Sequence, residues 1–172
     1  KKLKFIISGG GTGGHIFPAL SFSKEALKNN NRITFIGTNT ELEKKIFLQN
    51  ENIKFIKFDL DGFRGKGISQ KLAFLIRLPL IFIQVISIIV SKNISSVFCF
   101  GGFISIPVGF ASIVTHRNLY LHEQNAIVGS SNKLLSIFAK KVFTAFPISD
   151  DKKYFFTGNP LNIQRKRGIR TY

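Results

Sequence analysis

The sequence contains no Met and no Trp, one Cys, and nine acidic residues against 25 Lys and Arg. One Cys excludes an intramolecular disulfide framework. Because Cys99 lies within an apolar strand pattern, we expect a small core residue in a reducing compartment. The first apolar run is too short for a signal peptide. A chain without Met does not begin at an initiator residue, so we expect a fragment or a chain cut at a domain boundary.

The scarcity of acids leaves a formal charge of +16, which suits anionic partners such as phosphorylated lipids, membrane surfaces or nucleic acid. Nucleic acid is disfavoured, because the Phe-rich segments have core-like spacing and are not interleaved with basic residues as a base-stacking surface would be. At 172 residues and 44% hydrophobic content the chain can bury one core. We predict one domain over residues 1–160, with 161–172 as a basic tail or the start of a further domain.

Residues 4–20 read as a strand, a glycine loop and the start of a helix. Five glycines between positions 9 and 14 allow close backbone approach to a ligand, and Pro18 suits a first helical turn. The N-terminus of that helix would favour a phosphate. The glycines match G-x-G-x-x-G, but the second predicted strand, 32–36, is not followed by the acid that binds a ribose. A redox dinucleotide is therefore disfavoured, and no cofactor is predicted.

The chain continues as alternating strands and helices, which indicates a doubly wound parallel sheet of the Rossmann-like α/β class. Predicted helices cover residues 16–28, 42–48 and 128–139, with another ending near Val114. Predicted strands cover residues 5–7, 32–36, 53–58, 96–100, 119–121, 142–145 and 154–156.

A second loop repeats the first: the strand at 96–100 runs into Gly101 and Gly102, and Pro107 marks the next helix start. With the usual strand order 3-2-1-4-5, both loops and the polar residues 122–125 reach one crevice. Two helix N-termini there suit a diphosphate or two phosphates without a metal. His15 and Glu123 are candidate general bases. Alternatively His15 is a binding donor, and Glu123 binds a sugar hydroxyl or fixes the loop.

The segment 72–91 is the most apolar part of the chain. Arg77, Pro79 and Gln84 interrupt it, leaving about 14 uncharged residues where a spanning helix needs about 20, so we do not expect it to cross a bilayer. With nearby basic residues it could lie on an anionic membrane. The alternative is an ordinary buried crossover helix.

Five motifs together resemble the N-terminal half of the MurG family of bacterial peptidoglycan glycosyltransferases. They are GGGTGGHIFPAL at 9–20, GFRGKG at 62–67, GGFISIP at 101–107, HEQN at 122–125 and GNP at 158–160. The resemblance implies a GT-B fold and inverting transfer of N-acetylglucosamine from UDP-N-acetylglucosamine to undecaprenyl-diphosphate-linked muramyl-pentapeptide. It places the protein peripherally on the cytoplasmic face of the inner membrane.

The resemblance also implies roles for individual residues. The expected donor contacts are Thr12, Gly13, Gly14 and Asn125. The expected acceptor or diphosphate contacts are Gly11, His15, Gly101, Gly102, Ser105 and His122. The expected membrane patch includes Lys71, Leu75, Arg77 and Phe82.

Three positions depart from the family pattern. Phe103 stands where a tyrosine is usual, Ile106 where a glycine is usual, and Asn162 where a donor-contacting arginine is common. The C-terminal domain, which holds most of the UDP in the family, is missing. The chain is therefore expected to be inactive alone, or to be a membrane-docked polyprenyl-diphosphate binder or one subunit of a split transferase.

Overall fold

The structure is a computed structural model that describes residues 2–60 and 67–160, except for the side chains of residues 68–71. Strands and helices alternate along the chain. The elements are β1 Lys4–Ser8, α1 Gly13–Lys28, β2 Arg32–Thr38, α2 Glu41–Leu48, β3 Lys54–Phe58, α3 Ile68–Ser91, β4 Ser96–Cys99, α4 Ser105–Val114, β5 Asn118–Glu123, α5 Ser130–Ser136, β6 Lys141–Thr144 and β7 Tyr154–Phe156.

The seven strands form one parallel sheet in the order β3-β2-β1-β4-β5-β6-β7. This confirms the predicted doubly wound class and the predicted order of the first five strands. The chain switches direction between β1 and β4, so the loops that follow these two strands are neighbours at the carboxyl edge of the sheet.

Side chains alternate between two cores, one on each face of the sheet. In β1, for example, Ile6 points into the core under α3, α4 and α5, whereas Ile7 points into the core under α1 and α2. Cys99 is completely buried in the first core, as expected, and burial raises the pKa of its thiol to about 12. Both faces of the central strands are covered, so the strands are apolar along nearly their whole length.

Two helices, α1 and α5, differ from the prediction by more than one residue. Helix α1 begins at Gly13, three residues early, so Pro18 lies inside the helix and not in its first turn. Glycine is a poor helix former, which hid this start in the sequence. Helix α5 is confined to Ser130–Ser136, shorter than predicted at both ends. Pro107 does lie in the first turn of α4, as expected.

Helix α3 connects β3 to β4 and lies against the sheet. It buries Phe74, Ile81, Val85 and Ile89 in the core. Within the described residues its segment Leu72–Ser91 is long and apolar enough to cross a membrane by length and composition, contrary to our count from the sequence. The crossover position accounts for one apolar side of this helix but leaves the other side exposed.

Candidate functional site

The first glycine loop presents the N-terminus of α1 at the carboxyl edge of the sheet. Thr12 is the N-cap residue, and its carbonyl accepts hydrogen bonds from the amides of His15 and Ile16, both at 3.1 Å. The Gly13 and Gly14 amides belong to the first turn, which has no intrahelical acceptors. Gly11 has φ of +86° with open space around it, so the loop stays accessible on this side.

The second glycine loop lies directly against the first. A Cβ on Gly102 would come within 2.5 Å of the Gly10 carbonyl oxygen, and a Cβ on Gly101 within 2.8 Å of the His15 ring. Both glycines have positive φ, +98° at Gly101 and +83° at Gly102, a conformation that side chains disfavour. These positions therefore require glycine for both space and backbone geometry, and the two helix N-termini converge as predicted.

Ser105 hydrogen-bonds to the backbone of the second glycine loop. Its hydroxyl donates to the Gly101 carbonyl at 2.8 Å, and its amide donates to the Gly102 carbonyl at 3.1 Å. The side chain is completely buried. Ser105 thus shapes the loop, and the hydroxyl that we expected beside the acceptor is already used internally.

His15 stands between the two loops. Its Nδ1 is 3.0 Å from the Thr12 hydroxyl, and its ring also hydrogen-bonds to the backbone of Gly10. Burial lowers the pKa of His15 below its usual 6.5, more strongly than the Gly10 hydrogen bond and the negative charge of Glu123 raise it. A neutral imidazole at neutral pH can accept a proton, which suits either a general base or a hydrogen-bonding group.

Glu123 ends β5 and is almost completely buried. One carboxylate oxygen accepts from the amide and side-chain nitrogens of Asn125, both at 3.0 Å. The other accepts from the Gly129 amide and from Asn132 Nδ2, both at 2.9 Å. These four donors come from the segment that follows β5, which favours the alternative in which Glu123 fixes the loop. Both nitrogens of Asn125 are among the donors and are therefore already engaged.

His122 precedes Glu123 and faces the opposite side of the sheet. Its ring stacks on Phe100, and Nε2 lies 3.3 Å from the Gly158 carbonyl oxygen. Burial lowers its pKa, against the raising effects of Gly158, Glu123 and Gln124. His122 lines an apolar cavity of about 280 Å³ together with residues 157–160. It lies on the same strand end as Glu123 but makes no described contact with the glycine loops.

Asn132 is a site residue that the sequence reasoning missed. Its buried Nδ2 donates to the His122 carbonyl at 3.0 Å as well as to Glu123, which ties α5 to the end of β5. Asn132 occurs three residues before the buried Leu135, on the same helical face. A polar residue on that apolar face was the available signal.

Glu43 was also missed, and it explains the end of β2. It is completely buried, and its carboxylate accepts from the Thr38 amide and hydroxyl and from the Thr40 amide. With Thr40 it forms a capping box at the start of α2. A Cβ on Gly10 or Gly37 would come within 2.8 Å of its Oε1. An acid is therefore present near β2, but it is engaged by protein donors and not presented to a ribose.

An apolar surface extends from α3 to α4. Leu75 is 62% exposed, and it borders a groove of about 450 Å³ between the two helices, with Phe82, Ile106 and Phe110 also among its lining. Arg77 is exposed and donates to the Asp59 carbonyl at 3.0 Å. Ile106 thus lies in the groove.

Phe103, which like Ile106 departs from the family pattern, is half-buried. Its ring meets Phe74 of α3 edge-on at a centroid distance of 5.5 Å. This aromatic contact places Phe103 against the helix that carries the apolar surface.

Some sequence expectations lie outside the described residues. These are the side chain of Lys71, most of the motif at 62–67, and the segment 161–172 with Asn162.

The seven-stranded parallel sheet and its flanking helices define a Rossmann-like α/β domain of the kind found in GT-B glycosyltransferases. The model of the glycosyltransferase family 28 N-terminal domain matches residues 5–144, and the chain belongs to this family.

Curated relatives and a solved structure agree with this assignment. UDP-N-acetylglucosamine--N-acetylmuramyl-(pentapeptide) pyrophosphoryl-undecaprenol N-acetylglucosamine transferase from Sulfurihydrogenibium sp. is 42% identical over 92% of this chain and 46% of its own length. The enzyme of the same name from Francisella philomiragia is 37% identical, over 89% and 41%. The crystal structure of Acinetobacter baumannii MurG aligns with a TM-score of 0.80 at 29% identity, over 91% of this chain and 46% of that one. The chain thus spans less than half the length of these relatives.

A more distant structure shares the fold alone. A putative UDP-N-acetylglucosamine 2-epimerase from Listeria monocytogenes aligns with a TM-score of 0.68 at 18% identity, over 92% of this chain and 46% of its own. The expected family and the GT-B type of fold are confirmed.

Proposed function

We propose that this chain is the acceptor-binding half of a transferase that moves N-acetylglucosamine from UDP-N-acetylglucosamine to an undecaprenyl-diphosphate-linked muramyl-pentapeptide. The observation that carries the proposal is the contact between the two glycine loops, Gly102 against Gly10 and Gly101 against His15. This contact brings the N-termini of α1 and α4 to one crevice, where the Gly13 and Gly14 amides and the positive ends of both helix dipoles can bind the acceptor diphosphate without a metal.

His15 is the central side chain of the proposed site. Its position between the loops lets it donate to a diphosphate oxygen or accept a proton from the attacking sugar hydroxyl. Glu123 acts through the segment it holds, because its carboxylate orders Asn125, Gly129 and Asn132 around the crevice. His122 supports the end of β5 and the segment after β7, through its contact with the Gly158 carbonyl.

The donor is bound mainly by a separate domain in this proposal, since the relatives are about twice as long as the chain. Thr12, Gly13, Gly14 and Asn125 would contact the reacting end of the nucleotide sugar. The acceptor-binding domain spans residues 1–160, and these residues alone would be inactive, because most of the donor site belongs to the separate domain in this proposal.

The exposed side of α3 and the groove beside α4 form the proposed membrane-contacting surface, at the cytoplasmic face of the inner membrane. Exposed apolar side chains there can enter the lipid interface, while basic residues such as Arg77 meet anionic headgroups. This surface would hold the protein peripherally near its lipid-linked acceptor.

The experiment is a binding titration with a short-chain polyprenyl-diphosphate-linked muramyl-pentapeptide. Gly102→Ala adds a methyl group where only 2.5 Å separates it from the Gly10 oxygen, so we expect binding to weaken at least tenfold. Gly67→Ala is the matched control, because its Cβ would enter open space.

Two results and one folding control bear on the proposal. Equal affinity of both variants and the wild-type chain would contradict the diphosphate site. Binding of the acceptor without sugar transfer, even when a donor-binding domain is supplied, would favour the non-catalytic polyprenyl-diphosphate binder. A circular-dichroism melt of Gly102→Ala separates lost binding from lost folding.

A further inference from the structure

A cleft of about 650 Å³ lies at the amino-terminal edge of the sheet, where β1, β2 and β3 begin. This is the opposite edge from the glycine loops. Five cationic residues line the cleft: Lys2, Lys4, Arg32, Lys54 and Lys92. Parallel register brings them together, because Lys4 pairs with Arg32 and Thr34 with Lys54. Glu51 is the acidic residue among those that line the cleft.

Lys54 and Lys92 are unusually close for two like charges. The close approach of the Lys54 side chain, together with partial burial and the charges of Lys54 and Lys4, lowers the pKa of Lys92. Among residues 2–60 and 67–160, neither lysine forms an ion pair with a carboxylate. The described lining of the cleft therefore concentrates five cationic residues against one acidic residue, Glu51.

The end of α3 accounts for only part of this arrangement. Lys4 Nζ donates to the Lys92 carbonyl at 2.9 Å, a favourable contact for a cation at a helix C-terminus. The same effect does not explain why Lys54 approaches Lys92, since both ammonium groups repel each other. A bound anion would remove that repulsion.

We propose that this cleft binds a phosphate-bearing anion, carried either by a soluble phosphate or diphosphate or by a lipid headgroup. Lysine ammonium groups serve as point charges for phosphate oxygens. The volume and the number of cations suit more than one phosphate group. The inference does not depend on the proposed transferase function, because the cleft and the glycine loops lie at opposite edges.

The first test is a chemical-shift titration of the 15N-labelled chain with inorganic pyrophosphate, with potassium chloride at matched ionic strength as the control titrant. We expect saturable shifts of the Lys54 and Lys92 amides with pyrophosphate only. Lys54→Gln/Lys92→Gln should weaken this response at least tenfold, whereas Lys54→Arg/Lys92→Arg should retain it. Lys45→Gln/Lys152→Gln is the control for net charge, since both side chains are exposed and outside the cleft.

The second test replaces pyrophosphate with phosphatidylglycerol vesicles, compared with phosphatidylcholine vesicles. A lipid headgroup is the source if Lys54→Gln/Lys92→Gln weakens vesicle binding tenfold more than the control pair does and pyrophosphate gives no response. A pyrophosphate response without such an effect assigns it to a soluble anion. The proposal is overturned when neither ligand affects Lys54 and Lys92 more than chloride does, or when both glutamine pairs lose binding equally.

Discussion

Four hydrogen bonds converge on the carboxylate of Glu123, and its replacement tests what that carboxylate does. In Glu123→Gln, the new amide NH₂ must face donors from Asn125 or from Gly129 and Asn132. Buried donors left without acceptors cost about 1–3 kcal/mol, so we expect the free energy of unfolding to fall by about 2 kcal/mol in urea denaturation.

Glu25→Gln is the control for Glu123→Gln. Glu25 pairs with Lys28 on an exposed part of α1, where such a pair contributes about 0.5 kcal/mol or less. Wild-type stability of Glu123→Gln would contradict the role in ordering the loop. If such a stable variant also lost sugar transfer in a complete enzyme, the general-base alternative for Glu123 would be favoured.

The half-buried His15 and the buried His122 predict how stability depends on pH. Burial lowers the pKa of both His15 and His122 below the usual 6.5. Below about pH 6.5 the unfolded chain therefore binds more protons than the folded chain, and the free energy of unfolding falls as the pH decreases. Each histidine can contribute a slope of at most about 1.4 kcal/mol per pH unit.

Urea denaturation at pH 7.5 and pH 5.5 measures this dependence. His15→Gln/His122→Gln should flatten the loss of stability over that interval, whereas His116→Gln, at an exposed position, should leave it unchanged. An equally steep loss in the double variant would assign the pH dependence to other groups.

At the scale of single residues, the sequence predicted backbone-based features better than side-chain partners. The loop at Gly101 and Gly102 could be predicted, because two glycines directly after a strand indicate a tight loop that other residues would not form as easily. The buried contacts of Glu43 and Asn132 were not, because each depends on partners in other segments that periodicity alone does not identify. The sequence signals were a capping-box spacing for Glu43 and an apolar helical face for Asn132. These signals indicate burial but do not identify the hydrogen-bond partners.

At the scale of elements, α3 combines a crossover helix with an exposed apolar side. The crossover alternative is confirmed for the side that packs on the core, whereas contact of the exposed side with a membrane stays a prediction. Its length and apolar character could be predicted, but the side that faces the sheet could not, because apolar residues occupy nearly every face of the helix.

The exposed side of α3 predicts binding to anionic vesicles at low salt. Leu75 and Ile83 are 62% and 61% exposed, so Leu75→Ser/Ile83→Ser removes apolar surface with little effect on the core. If each side chain contributes about 1 kcal/mol on entering the interface, the partition coefficient should fall roughly thirtyfold. Vesicle flotation measures the change.

Leu48→Ser/Ile137→Ser is the matched control for this surface, since these residues are 74% and 68% exposed at the C-terminal ends of α2 and α5. It should bind vesicles as the wild-type chain does. Equal losses in both double variants would show that general hydrophobicity, and not the α3 surface, determines membrane binding.

At the scale of the whole molecule, the two edges of the sheet both present positive charge or positive dipole ends, and the length of the strands separates them. The carboxyl edge presents helix N-termini and glycine loops, whereas the amino edge presents lysine side chains. The parallel order of the strands could be predicted from the alternating pattern, and this order placed the loops together. The lysine cleft could not be predicted, because it depends on the register of separate strands and on the end of α3.

The proposed division of labour between domains predicts that sugar transfer requires two parts. We expect the chain alone to show no transfer from UDP-N-acetylglucosamine to the lipid-linked acceptor. Adding a separately expressed C-terminal half from the Sulfurihydrogenibium relative should restore measurable transfer, because acceptor and donor sites would then meet across one crevice. Gly102→Ala should abolish this restored activity and Gly67→Ala should not. Transfer by the chain alone would contradict the separation of sites, and acceptor binding without transfer in the mixture would favour the binding module.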